Sequence, residues 1–154
     1  MPNMLDAAKF VFDVMKDGAR VTVQQETVDV LPRGKTKLDL SGWQGPVSFP
    51  EQFEEESILG FSLADFRIAA NWEFNGQFIA NFNVLVDGTI DPLSSVDVTV
   101  TTFQANFDGD VNEGGVAVMP YHIDVKFHNI TGGTELRTFR AKARGDGGGE
   151  SSNI

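Results

Sequence analysis

The side chains of this chain that could do chemistry are few, and the first are its two histidines, His122 and His128. A hydrolytic triad needs a histidine base held between a nucleophile and an orienting acid. Both histidines alternate with Asp124 and Lys126 along one polar phase, the pattern of a solvated strand face, so no triad is expected. One metal cannot bridge the pair in an extended strand, because a rise of about 3.3 Å per residue holds them about 20 Å apart. The chain has no cysteine, which removes thiol nucleophiles, disulfides and Cys-based zinc sites together.

Three further groupings carry possible chemistry. Asp108, Asp110 and Asn112 place side-chain oxygens at alternate positions of the loop Asp108-Gly-Asp-Val-Asn-Glu-Gly, as loops for a hard cation such as calcium do. Gly114 falls one place later than the EF-hand glycine, and Met119 stands where a closing glutamate belongs, so a solvated hairpin loop is the expectation and calcium the alternative. Arg137, Arg140, Lys142 and Arg144 gather four of the twelve basic residues in one short stretch. Such a stretch protects a sheet edge from unwanted pairing, or docks an acidic face of a neighbouring subunit such as Glu54-Glu55-Glu56. Trp43, Phe49 and Phe53 either plug a core or line a pocket for an apolar small molecule. The triplet Asn129-Ile130-Thr131 has the form of a glycosylation acceptor but carries no weight without a secretory signal.

The elements that must position these residues are mostly strands. From Asp65 to Val86, Phe66, Ile68, Ala70 and Trp72 alternate with polar residues, and Phe78, Ala80, Phe82, Val84 and Val86 repeat the period, which predicts a hairpin. A three-residue loop Phe74-Asn75-Gly76 would set Trp72 opposite Phe78, Ala70 opposite Ala80, Ile68 opposite Phe82 and Phe66 opposite Val84. Before it, Leu5, Ala8, Phe12 and Met15 predict a helix over 3–17 with Gly18 as its stop, and Phe10, Val11 and Val14 widen an apolar stripe that wants a sheet or partner to cover it. Arg20 to Leu31 changes phase near Gln24-Gln25, so it is a bulged strand or two short ones. Pro32-Arg33-Gly34 is a turn, and 37–40 suits a short strand. Residues 43–61 read as an irregular lid holding a short helix from Glu51 to Leu59, with Phe53 and Ile58 facing inward.

Asp87-Gly88 reads as a turn. A long strand from Ser95 to Phe107 changes phase at Thr101-Thr102, and 117–128 alternates strongly around Pro120, which calls for an edge or a locally unpaired position. The last strand, 134–144, puts Phe139, Ala141 and Ala143 on one face and Thr138, Arg140, Lys142 and Arg144 on the other. Residues 145–154 form a Gly-rich tail expected to be flexible.

The pattern predicts a single β-rich domain over 1–144: a mainly antiparallel β-sandwich or partly closed β-barrel of six or seven strands, with one helix packed on it. At 154 residues it can bury a core without staples. Twenty-two acidic against twelve basic side chains give a net charge of −10, which disfavours nucleic acid. No segment has the apolar length of a membrane span and no secretory signal is evident, so a soluble cytoplasmic protein is expected. With no catalytic constellation in view, the expected function is a structural or binding subunit acting by protein association, as a homo-oligomer or in a larger assembly. A small barrel that carries or acts on an apolar molecule is the alternative.

Overall fold

The computed structural model describes residues 20–130 and 133–151, and the helix expected over 3–17 lies outside them. Ten strands make two sheets: β1 Arg20–Gln24, β2 Val28–Val30, β3 Gln44–Glu56, β4 Ser62–Phe74, β5 Ile79–Ile90, β6 Ser94–Thr102, β7 Asn106–Asp108, β8 Val116–Asn129, β9 Gly133–Arg144 and β10 Gly149–Ser151. One sheet runs β1-β6-β8-β9-β10, with β7 also on β8, and the other runs β2-β5-β4-β3. They stack as a sandwich and do not close into a barrel. Among the described residues every pairing is antiparallel except β1 with β6.

Alternation explains the sandwich. Phe66, Ile68, Ala70 and Trp72 of β4 and Phe82, Val84 and Val86 of β5 meet Val96, Val98, Tyr121, Ile123, Val125 and Phe127 of the other sheet in one buried core. Aromatic contacts join the layers, with ring centroids 4.8 Å apart for Phe82 and Tyr121 and 5.9 Å apart for Phe53 and Phe127. The phase change at Gln24-Gln25 is the point where the chain crosses from one sheet to the other. There the buried Gln25 amide donates to the Val84 carbonyl and accepts from the Val84 N–H, both at 2.8 Å, standing in for a strand neighbour of β5.

The hairpin forms with Phe82, Val84 and Val86 on the predicted face, but its register differs. Ala70 lies opposite Val84, Ile68 opposite Val86 and Phe66 opposite Gly88. From Asn83 to Gly88 the slide is an even number of residues, so side chains keep their faces there and alternation alone cannot detect it. Beyond the bulge Glu73 lies opposite Ala80 and Phe74 opposite Ile79, so Ile79 takes the core face in place of Phe78 and Ala80. What selects the register is backbone geometry. Asn81, at φ 54°, forms a bulge opposite Trp72, a conformation asparagine tolerates better than most residues. Gly88 is inside β5 and not in a turn; a Cβ there would run into the backbone of Asp65 and Phe66.

Three other readings are corrected. Residues 44–56 are a strand at the sheet edge, not a helical lid: Pro50, Glu51 and Glu54 suit a helix start, but proline and charge equally suit an edge. Lys37–Asp39 is a 3-10 turn, closed by Asp39 Oδ2 accepting from the Thr36 N–H at 2.7 Å. The Gly-rich segment after Arg144 turns back, and β10 pairs with β9 at Ala141 to Ala143. Pro120 lies in a central strand, but where β6 has ended and β7 has not begun; its carbonyl accepts from Phe103 N–H at 2.9 Å across that break.

Candidate functional site

Of the predicted sites, the basic stretch is the one the fold divides most clearly. Arg137 shares the inward phase of Phe139, so its guanidinium lies over the Phe53 ring at 4.7 Å and reaches Glu55 Oε1 at 3.5 Å. Arg144 bonds Asp108 at 3.1 Å and Asp146 at 3.2 Å, and the Asp108 bond is the main cause that holds its pKa above the ordinary arginine value. Arg140 and Lys142 remain on the outward face and enter no ion pair among the described residues. Next to them, β10 covers only the last part of β9, so among the described residues its edge from Gly133 to Arg140 has no strand partner.

The edge of the other sheet on the same side is β3, paired only with β4 over its thirteen residues. Its outward phase carries Gln52, Glu54 and Glu56, and its inward phase carries Glu51 and Glu55 between aromatic residues. Burial raises the Glu51 pKa; burial first, and then the negative charge of Glu51, raise that of Tyr121. Both effects favour the uncharged forms. Glu55 pairs with Arg137 of the same chain, which leaves Glu54 and Glu56 as the exposed acids.

Trp43, Phe49 and Phe53 have different surroundings. Phe53 is fully buried and stacks on Phe66 at 4.8 Å, and Phe49 packs against the same core. Trp43 sits in the loop before β3, donating its indole N–H to Lys37 O at 3.0 Å. Lys37 in turn bonds Glu73 at 2.7 Å, the first cause of that carboxylate's lowered pKa. In the 108–114 loop, Asp108 is engaged by Arg144, and Asp110 Oδ1 accepts from Asn112 N–H at 2.9 Å. No group of three His, Asp or Glu side chains among the described residues is placed to hold a metal ion. His122 meets the Phe103 ring edge-on at 4.7 Å, and His128 Nδ1 bonds Thr134 Oγ1 at 2.9 Å. Asn129 is fully buried against Asp91 and Ser94, which a glycan could not reach. No helix of the described residues is long and apolar enough to cross a membrane.

One feature is absent from the sequence reading. Ile58, Leu59 and Phe61 in the β3–β4 turn, Leu93 before β6 and Ile130 after β8 are all exposed at the same end of the sandwich. Ile58 therefore faces outward, and not inward as its place in a helix would require. The signal was available: three large apolar residues, Ile58, Leu59 and Phe61, flank Gly60 within a turn, where polar residues are usual.

Comparison with protein-family models, curated proteins and solved structures returns no match.

Proposed function

We propose that this chain is a non-enzymatic structural or binding subunit that works by associating with protein, as a homo-oligomer or in a larger assembly. One observation supports the reading above others: the part of β9 that β10 leaves unpaired among the described residues, which ends at Arg140, and the long acidic edge of β3 share one side of the sandwich. An unpaired strand edge offers backbone donors and acceptors that another chain can complete. Arg140 and Lys142 would meet Glu54 and Glu56 of the next copy, and such charge pairs set orientation and partner choice more than strength.

The test is charge reversal. Arg140→Glu with Lys142→Glu is expected to convert the native oligomer to smaller species in native mass spectrometry, with the melting temperature of the subunit unchanged. Adding Glu54→Lys and Glu56→Lys to that variant is expected to restore assembly. Oligomers that survive the first pair of substitutions, or a wild-type chain that is monomeric and captures no protein partner, would overturn the proposal.

A further inference from the structure

We propose that residues 3–17 of this chain cover the apolar end of their own sandwich. The surface is a depression lined by Ile58, Leu59, Phe61, Leu63 and Leu93 together with Glu56 and Asp91. Leu59 is 82 % exposed, Phe61 68 % and Leu93 53 %, and Ile130, also 68 % exposed, adjoins Leu93 through a backbone bond of 3.4 Å. Contiguous large apolar side chains within a polar rim mark a surface that something covers.

Three observations choose the occupant. The first is where β1 begins: it runs parallel to β6 with Arg20 opposite Ser95, two residues from Leu93, so the described chain starts at this end and not the other. The second is composition: Leu5, Ala8, Val11, Phe12 and Met15 recur at helical spacing, and Phe10 and Val14 leave only a narrow polar strip of Asp6, Lys9, Asp13 and Lys16. Lys9 and Lys16 border the stripe and complement Glu56 and Asp91. The third is length. Fifteen residues at about 1.5 Å each reach about 22 Å, enough to cross two sheets about 10 Å apart and the strands beside them. Gly18 and Ala19 alone join the segment to β1, which sets its local concentration in the millimolar range and favours its own end over that of a second copy.

The experiment uses the full chain. Amides of residues 8–15 are expected to exchange at least about tenfold more slowly than in an unstructured peptide of the same sequence. Leu59→Asp with Phe61→Asp, both outside the buried core, is expected to abolish that protection while core amides of β4 and β8 keep theirs. The chain has no cysteine, so a nitroxide on Asp13→Cys reports position. It should broaden the signals of Leu59, Leu93 and Ile130 and leave Gln77 and Asp146 sharp. Unprotected amides in the wild type, protection that survives the double substitution, or broadening at the other end would each overturn the inference. So would broadening that appears only between spin-labelled and isotope-labelled copies, which would make a second copy the occupant.

Discussion

The two ends of the sandwich are built from the same kind of hairpin and are finished in opposite ways. At one end the β4–β5 turn, the β7–β8 loop and the β9–β10 turn exchange backbone bonds directly: Gly76 N–H to Gly145 O at 2.8 Å, Gly145 N–H to Ala117 O at 2.9 Å and Ala117 N–H to Gln77 O at 2.8 Å. Trp72 Nε1 adds a bond to Arg144 O at 3.0 Å, and the Gln77 amide reaches Val111 O. At the other end Ser57 N–H closes its own turn on Phe61 O. Among the described residues the bonds between neighbouring turns are fewer there, Asp91 N–H to Leu63 O at 2.8 Å and Ile130 N–H to Leu93 O at 3.4 Å, and Ile58, Leu59, Phe61, Leu93 and Ile130 point outward. Loops can close an end by themselves only where their backbones approach closely enough to pair. Apolar turn residues cannot be satisfied that way, and they need another surface.

Glycine separates the two ends most sharply. A Cβ on Gly145 would fall within the backbone of Gln77, which cannot move without opening the bonds around it. Gly145→Ala is expected to lose about 3 kcal/mol or more of stability, or to fail to fold, as overpacked and strained sites do. Gly60 at the open end has φ 85° with nothing near its Cα side. Gly60→Ala therefore carries only the left-handed penalty of about 1–2 kcal/mol. Urea denaturation of the two variants checks the contrast, and equal losses would break it.

Trp72→Phe comes next. It keeps an aromatic ring in the core but removes the indole donor, leaving the Arg144 carbonyl without that partner and a small void beside Phe82. The expected loss is about 2–3 kcal/mol, read as a lower denaturation midpoint with unchanged slope. Hydrogen exchange should show where it acts. The amides of Gly76 and Gly145 should speed up well before those of Asp91 and Ser94, which belong to the open end.

How far the fold was legible follows from what alternation can encode. It places side chains on faces, so the cores of β4, β5, β6, β8 and β9 were readable from residues such as Ile68, Val98 and Ile123. It does not encode register: the hairpin slid by an even step from Asn83 to Gly88 and, past the bulge at Asn81, put Ile79 on the core face where Phe78 and Ala80 were expected. Nor does it encode partners: nothing in Val21 and Val23 says that β1 joins β6 in parallel. β3 was hidden because Glu51 and Glu55 occupy its inward phase, so the apolar run Val47, Phe49, Phe53 looked broken. The basic stretch was visible as a cluster, but its division was not. Arg137 has the parity of Phe139 and turns to Phe53, whereas Arg140 and Lys142 have the opposite parity and face out.

The smallest expected effect concerns Asp146, a carboxylate that helps close the stitched end. Asp146 accepts from Gly148 N–H at 2.9 Å and from Arg144 Nε at 3.2 Å. Burial works against its charge, but those donors outweigh it and hold its pKa below the ordinary aspartate value. A carboxylate whose folded pKa is lowered adds stability above its unfolded pKa, and that contribution is lost as pH falls through the folded value. Its side chain is 41 % exposed, so solvent screening keeps the contribution below about 1 kcal/mol. Asp146→Asn should therefore be slightly less stable than the wild type at neutral pH, by an amount that is constant down to about pH 4 and shrinks below it. Denaturation midpoints of both proteins from pH 7 to pH 3 measure this. Convergence in acid would assign the loss to charge and leave the uncharged backbone bonds as the main closure of this end. A gap that persists in acid would assign it to the shape of the β9–β10 turn instead.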